Sequence, residues 1–411
     1  MNIDEIISLG ISDNDRVFAF WLHAVPWIGQ GPVPHLLRKF GSPKEVFLAT
    51  DKEIISVLGR RTDPGDLLSY RKENDIFEKY EEFMRSGMKV TFAWENDYPE
   101  RLKHIPDPPL ALFYIGRLPE NNKLSVAVIG ARQCSEYGEM LAEKLGQTLG
   151  KGDVNVISGM AVGIDGISQN AAVSAGGASF AVLGTGADVC YPDSNYGLYE
   201  KLKKSGGILS SYPPHTPALS RYFPPRNRIV SGLSDATVVL EARARSGTLI
   251  TVDMALEQGR DIYAAPGRLT DELSSGTNGL IGHGARVYLS PEIFMKDLME
   301  DHAGNLTSGY SNTYQNYKNT GSYESESDKR HRKFRPGPVP EPDLDEEHSE
   351  IYRELTLFPQ SAEDIDKKLR KKNICSPGET GICLILMELC LSDNAIQVSP
   401  GQFIRNYAHT L

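Results

Sequence analysis

Between residues 123 and 298, short apolar runs rich in β-branched residues alternate with segments whose apolar residues have helical spacing. Continuous apolar runs of this length are typical of parallel strands that are covered on both faces. The alternation predicts an α/β fold with an extended Rossmann-like, doubly wound parallel sheet and right-handed crossovers. The predicted strands are SVAVIG (125–130), VNVISG (154–159), SFAVLG (179–184), ATVVLE (236–241) and DIYAAPG (261–267), and the predicted helices are 136–151 and 247–260.

A glycine-containing segment follows each of these five runs. The carboxyl ends of parallel strands meet at one edge, which we call the carboxyl rim, and open α/β sheets bind their ligands there. Glycine allows a close backbone approach, and helix N-termini direct unpaired amides toward anions. The sequence therefore predicts a phosphate-binding rim. Its candidate backbone residues are Gly130, Gly159, Gly163, Gly184, Gly186 and the turn Ser246, Gly247, Thr248, and the fifth segment is APGR at 265–268.

Polar side chains near these turns are the candidate ligand-binding groups. Arg132 comes two residues after the first glycine, and Ser135 is placed either to contact the ligand or only to cap the following helix. The run FPPRNR supplies Arg226, Asn227 and Arg228, of which arginine suits phosphate. If this run is extended, we expect only one of the two arginines to face the ligand and the other to be an ion-pair partner.

The same turns contain no convincing catalytic group. Asp165 and Glu241 are carboxylates at the rim, and we expect each to hold a loop through backbone amides. His215 is the one histidine beside the turns, so neither a serine–histidine pair nor a metal cluster is predicted. The alternative is a nucleotide-binding hydrolase of the nucleoside-monophosphate phosphoribohydrolase type, but its acidic pair is missing after Ser246. A nicotinamide site is also disfavoured, since the first turn is not G-x-G-x-x-G.

The 411-residue chain carries a net charge of −10, mostly from its two ends, whereas residues 123–298 contain 16 basic and 17 acidic side chains. Because screening limits the reach of charges to about 8–10 Å, this balance neither supports nor excludes a nucleic acid. The N-terminus does not read as a secretory signal, no apolar run suits a membrane span, and five scattered cysteines fit a reducing cytoplasm.

Composition divides the chain into four segments. Residues 1–110 are expected to form a small helical domain, either a helix-hairpin-helix (SAM-like) module or a plain bundle, followed by the Rossmann-like domain at 111–300. Residues 301–345 read as a flexible linker containing the basic cluster KRHRKFR (329–335), and residues 346–411 as a winged helix that ends in a β-hairpin at 394–406.

Ordered motifs give the chain a strong resemblance to the bacterial DNA-processing protein A family (DprA, also called Smf). The motifs are GARQCSEYG, SGMAVGIDG, LGTGADVCYP, SSYPPHTP, FPPRNRIVSGLS, EARARSGTLIT, ALEQGR and GTNGLIGHGA. The resemblance implies a cytoplasmic homodimer, joined through the Rossmann domains, that binds single-stranded DNA and loads RecA onto it during natural transformation and recombination. It also implies no catalytic residues, no metal and no cofactor. Arg132, the rim glycines and the FPPRNR loop match the family's DNA-binding site.

The chain departs from the family pattern at two positions. Asp193 stands where relatives often carry a DNA-contacting lysine, and Ser211 replaces a common glutamate. Loss of a direct cation–phosphate contact would weaken binding by about 1–3 kcal/mol. Lys201, Lys203 and Lys204 are the nearby cations available to replace that contact.

Overall fold

The computed structural model describes residues 8–11, 15–24, 32–58, 65–302, 346–355, 360–372, 377–392, 395–399 and 402–405. The chain divides into two compact units, Met1–Asn319 and Thr320–Leu411. Most of the predicted linker, including the basic cluster at 329–335, lies outside the described residues, as does the IGQG turn of the predicted helical hairpin. Within the described residues, no helix is long and apolar enough to cross a membrane.

The first unit is built on a nine-stranded sheet with the order β1-β2-β6-β5-β4-β3-β7-β8-β9. Every pair from β6 to β9 in this order is parallel. The pairs β1–β2 and β2–β6 at one edge are antiparallel, so the sheet is mixed and not wholly parallel. All five predicted strands are confirmed. The bounds are β1 Lys89–Phe92, β2 Ala111–Gly116, β3 Ser125–Ile129, β4 Asn155–Ser158, β5 Ser179–Val182, β6 Gly207–Ser210, β7 Ala236–Val239, β8 Asp261–Ala264 and β9 Arg286–Val287.

Helices cover both faces of the sheet. Alternate residues of β3 enter different apolar clusters: Val126 and Val128 pack into one, and Ala127 and Ile129 into the other. This period of two is what a doubly wound sheet requires. The helices of this domain are α8 Glu136–Lys151, α9 Ile164–Ser174, α10 Tyr196–Ser205, α11 Phe223–Gly232, α12 Gly247–Glu257, α13 Glu272–Gly282 and α14 Pro291–Asp301.

The N-terminal helices share a core with the sheet. One apolar cluster joins Trp21 and Leu36 of the helical segment to Leu112 and Ile129 of the strands. Strand β1, which precedes residue 110, also pairs with β2, which follows it. The division into two domains at residue 110 stays a prediction. The helices are α1 Arg16–Leu22, α2 Pro32–Phe40, α3 Pro43–Leu48, α4 Asp51–Leu58, α5 Gly65–Glu73, α6 Ile76–Arg85 and α7 Glu100–Lys103.

Among its described residues, the second unit contains three helices and one hairpin. The helices are α15 Glu346–Glu354, α16 Ala362–Lys371 and α17 Gly378–Leu391, and strands β10 Ala395–Ser399 and β11 Gln402–Arg405 pair antiparallel. The predicted C-terminal hairpin is therefore confirmed. Helices followed by a hairpin are consistent with a winged helix, which stays a prediction.

A two-pronged ion pair fastens α7 to the sheet. Arg101 donates from Nε and Nη2 to the carboxylate of Asp235 at 2.8 and 2.9 Å, and from Nη2 to the carbonyl of Lys123. The same carboxylate accepts the amide of Ser125, the first residue of β3. Both side chains are less than one-fifth exposed. One pair therefore connects α7, the start of β3 and the residue before β7.

We predict that Arg101→Met lowers the free energy of unfolding by about 2–4 kcal/mol, because it removes the hydrogen-bonded ion-pair partner of the largely buried Asp235. Urea denaturation of the full chain measures the change. The control is Lys79→Met, which removes an exposed pair with Glu82 and should cost no more than about 0.5 kcal/mol. Equal stabilities of the two variants would contradict the prediction.

Candidate functional site

A cleft of about 900 Å³ lies at the carboxyl rim and is called the main cleft below. Three of the five glycine segments line it, at residues 130–133, 159–165 and 243–248, together with the first turn of α11. All five segments follow parallel strands at the same rim, as predicted, but the other two do not line the main cleft. The fifth segment lines a neighbouring cleft, and the third packs behind α11.

The first and second loops touch through glycine. Gly163 has φ +78°, and a Cβ atom there would lie 2.3 Å from the carbonyl oxygen of Ala131. Ile164 donates its amide to that same oxygen at 3.2 Å, and a Cβ on Gly130 would lie 2.6 Å from the Ile164 side chain. Gly163 itself does not line the main cleft, so its role is to let the two loops approach each other.

The fourth loop is tied to the first by a hydroxyl group. Ser246 caps α12 by accepting the amide of Thr248 at 3.2 Å, and the hydroxyl of Thr248 lies 3.2 Å from the carbonyl oxygen of Gly130, to which it donates. Both residues line the main cleft with Gly247. The predicted helix-opening turn is confirmed, its role as a phosphate cradle stays a prediction, and the Thr248 hydroxyl is already used to join two loops.

Arg226 lies beneath the main cleft and not in an extended loop. The FPPRNR run begins α11, whose first turn contains two prolines, so the expectation of an extended chain is wrong. Arg226 is 6% exposed and donates to the carbonyls of Gly159, at 3.1 Å, and Val182. Its Nε donates to the Asn227 side chain at 3.2 Å. Burial lowers the pKa of Arg226 to about 10, and the guanidinium stays charged at neutral pH.

Asp165 holds the second loop, as expected from the sequence. Its carboxylate accepts the amide of Gly159 at 3.1 Å. Burial raises the pKa of Asp165, while the charge of Arg226 and a hydrogen bond from Ser158 oppose that rise. The positive charge of the buried Arg226 therefore offsets the negative charge of Asp165 at the main cleft.

Arg228 does not face the main cleft. Burial lowers the pKa of Arg228, and the charge of Asp107 partly opposes that shift. Its Nε and Nη2 are buried without a hydrogen-bond partner among the described residues. Neither Arg226 nor Arg228 lies within 4 Å of a carboxylate in the described part of the chain. The expected ion pair is therefore not found, because the helix turns both side chains into the protein.

The third loop packs against the first residue of α11 and does not line the main cleft, although Gly184 and Gly186 are among the predicted binding residues. A Cβ on Gly184 would lie 2.9 Å from the Phe223 ring, and one on Gly186 would lie 2.5 Å from the Asp188 carboxylate. That carboxylate accepts the amide of His215 and pairs with its imidazole at 2.6 Å. The position of these glycines directly after a strand does not predict whether they meet a ligand or pack against side chains.

Ser135 and Glu241 separate the main cleft from a second cleft of about 820 Å³. Ser135 caps α8 by accepting the amide of Gly138 at 3.2 Å, and its own amide and hydroxyl both donate to Glu241. Both roles foreseen for these residues, helix cap and loop holder, are confirmed. The second cleft is lined by Ser135, Glu136, Tyr137, Glu241, Pro266, Gly267, Arg268 and Asp271.

Two arginines of the main cleft keep their donors available. Arg132 and Arg245 are exposed, and neither donates a hydrogen bond within the described part of the chain. Arg243 makes a long, exposed contact of 3.5 Å with Glu272. Arg132 is among the binding residues predicted from the sequence, whereas Arg243 and Arg245 are not, although both stand in the glycine-containing segment EARARSGT.

Aromatic and apolar side chains form the rest of the wall. The rings of Tyr191 and Phe223 lie 5.5 Å apart, and Tyr191 is 42% exposed. Val162 and Ile250 are also partly exposed at the main cleft. Arginine donors and exposed apolar surface therefore share one groove.

Asp193 lies in a short 3₁₀ turn, Asp193–Asn195, exposed and outside the lining of the main cleft. Of the three nearby lysines, Lys201 donates to Asn170 and Lys203 pairs with Glu200. Lys204 is exposed. Two of the three cations therefore already have partners, and the effect of Asp193 on binding stays a prediction.

A mostly parallel sheet with glycine loops and an arginine-lined cleft at its carboxyl rim defines a Rossmann-like α/β protein with a site suited to an anion. The family model described as DNA recombination-mediator protein A matches residues 89–299, half of the chain. The chain belongs to this family. Within the described residues, no group of three or more histidine, cysteine or acidic side chains is placed to hold a metal ion.

Curated relatives and a solved structure agree with this assignment. The chain is 43% identical over 193 residues to DNA processing protein DprA of Streptococcus pneumoniae, covering 47% of this chain and 68% of the relative. It is 33% identical over 289 residues to protein Smf of Synechocystis sp., covering 68% and 72%. The crystal structure of the S. pneumoniae protein matches with a TM-score of 0.55 and 34% identity, over 64% of this chain and 90% of that one.

We predict that Gly163→Ala destabilises the protein by about 2–4 kcal/mol, because it adds positive-φ strain and a clash with the Ala131 carbonyl. Urea denaturation provides the measurement. Gly197→Ala is the matched control: Gly197 lies in α10 with open space where the Cβ would go, so alanine should stabilise by up to about 1 kcal/mol. A Gly163→Ala protein as stable as the parent would show that the loops do not need this approach.

Proposed function

We propose that the main cleft binds single-stranded DNA and catalyses no reaction on it. The observation that carries the proposal is the pair of exposed arginines, Arg132 and Arg245, whose guanidinium groups are unused beside a preformed set of glycine loops. Arginine forms short, charge-assisted and often bidentate hydrogen bonds to phosphate. Two such side chains on neighbouring loops suit a backbone with repeated phosphates.

The apolar wall supports a single strand as the ligand. Tyr191, Val162 and Ile250 offer exposed apolar surface beside the arginines. The bases of a single strand are accessible for stacking, whereas those of a duplex are covered by their neighbours. Stacking is largely tolerant of sequence, so we expect binding to most single-stranded sequences.

The carboxylates at the rim support a binding role over a catalytic one. Asp165 holds the amide of Gly159, and Glu241 holds the amide and hydroxyl of Ser135. Each therefore has a structural task. The Ser135 hydroxyl donates to Glu241, and within the described part of the chain it has no histidine or lysine partner of the kind that activates a serine nucleophile. Incubating the purified protein with each nucleoside monophosphate tests this directly. We expect no free base by chromatography, and its release would favour the hydrolase alternative.

The family assignment supports the proposed partners. We propose that the bound strand is passed to RecA for recombination, including that of DNA taken up in natural transformation, by a cytoplasmic homodimer joined through the Rossmann domains. The family's description as a recombination mediator supports RecA as partner. RecA ATPase activity on DNA coated with single-strand-binding protein tests this step: it should rise when the chain is added. Analytical ultracentrifugation tests the dimer.

We predict that Arg132→Ala weakens binding of a single-stranded oligonucleotide by about 10- to 100-fold, because it removes a charge-assisted phosphate contact. Fluorescence anisotropy at several salt concentrations measures affinity and salt dependence together. Loss of one phosphate contact should lower the slope of log K against log salt by about 0.7.

The control for this experiment is Arg85→Ala. Arg85 is an exposed arginine at the end of α6 and does not line the main cleft. Its removal should leave both the affinity and the salt slope near those of the parent chain. If Arg132→Ala binds as tightly as Arg85→Ala, the strand does not run through the main cleft.

A further inference from the structure

The second cleft adjoins the main cleft on the far side of the first loop. Gln133 lines the main cleft, and Ser135, two residues later, lines the second. In the same way Leu273 lines the main cleft and Asp271 lines the second. A strand that leaves the main cleft over this loop therefore meets the second cleft next. Its volume of about 820 Å³ is ample for one nucleoside.

One aromatic ring provides a platform in the second cleft. Tyr137 lies in the first turn of α8, is 42% exposed, and donates its hydroxyl to the carbonyl of Pro266 at 3.0 Å. This bond fixes the ring while a large part of it stays open to solvent. A fixed, exposed aromatic ring beside a nucleic-acid path is a suitable surface for base stacking.

The opposite wall is also preformed. Asn278 of α13 accepts the amide of Gly267 at 3.2 Å and donates to the carbonyl of Gly267 at 3.0 Å. A Cβ on Gly267 would lie 1.9 Å from the Ser274 hydroxyl, so glycine is required there. The turn at 266–268 is held in place before any ligand arrives.

The charge of the second cleft differs from that of the main cleft. Its lining holds three acids, Glu136, Glu241 and Asp271, and one base, Arg268. Glu241 is 3% exposed and already accepts two hydrogen bonds from Ser135. Glu136 and Asp271 are exposed, and each carboxylate has about four acceptor sites for a donor from the ligand. This lining disfavours a phosphate and favours a neutral group that donates hydrogen bonds.

We propose that the second cleft takes one base of the DNA strand, stacked on Tyr137, with a preference for bases that carry an amino group. The proposal rests on the proposed function, since the strand reaches the second cleft from the main cleft. Cytosine presents an N4 amino donor that acidic side chains accept, whereas thymine presents a carbonyl there. Arg268 is exposed at the mouth and suits the phosphate that follows.

The test compares the full chain with Tyr137→Leu and Tyr137→Phe, using oligo(dC) and oligo(dT) of about 20 nucleotides in fluorescence anisotropy. We expect Tyr137→Leu to bind oligo(dC) about 5- to 150-fold more weakly, which corresponds to the loss of one stacked base. The salt slope should not change, because stacking releases no counterions. Tyr137→Phe keeps the ring and should bind within about threefold of the parent.

Base choice and proximity are tested separately. The parent chain should bind oligo(dC) at least about 5-fold more tightly than oligo(dT). In Tyr137→Trp, the fluorescence of the new indole should be quenched by oligo(dC) beyond any change in the parent chain. This readout still decides the proposal if Tyr137→Leu does not fold.

The outcomes separate the two proposals. If the parent chain binds neither oligonucleotide, or if Arg132→Ala binds like the parent, the main-cleft function fails. If Arg132→Ala loses affinity while Tyr137→Leu keeps it and Tyr137→Trp shows no added quenching, the main cleft stands and the second-cleft proposal is overturned. Equal affinity for oligo(dC) and oligo(dT) would overturn the preference for an amino group.

Discussion

The carboxyl rim depends on one buried guanidinium group. Arg226 donates to the carbonyls of Gly159 and Val182, which lie at the ends of β4 and β5. Asp165 binds the amide of that same Gly159. Both main-chain polar groups of one glycine are therefore held by opposite charges. Because a buried charge must be satisfied to be tolerated, this arrangement fixes the loop more firmly than a neutral turn would.

This framework explains why the arginines of the site divide into two kinds. Arg226 is 6% exposed and donates its hydrogen bonds to groups of the protein. Arg132 and Arg245 line the same cleft and are exposed. A ligand that meets a fixed wall orders few further groups on binding, so more of the contact energy appears as affinity. The buried base also offsets Asp165, an acid that would otherwise repel a phosphate in the main cleft.

The sequence predicts those parts of the site that depend on backbone periodicity and on helix ends. The five parallel strands, the Ser135 cap and the loop-holding tasks of Asp165 and Glu241 all follow from local pattern and helix-end chemistry. The packing of Arg226 and Arg228 did not, because it depends on α11 beginning at a pair of prolines. Prolines suit both a loop and the first turn of a helix, so their presence did not distinguish the two.

The net charge of −10 becomes less puzzling once the charges are placed. Because screening limits the reach of charges to about 8–10 Å, the charges that line a cleft act on its ligand more strongly than distant acids of the same chain. Arginines line the main cleft beside its glycine loops, while three acids line the second cleft, namely Glu136, Glu241 and Asp271. A nucleic-acid strand is itself divided into anionic phosphates and neutral bases. Two adjoining clefts of opposite character match that division, so the acids need not oppose binding.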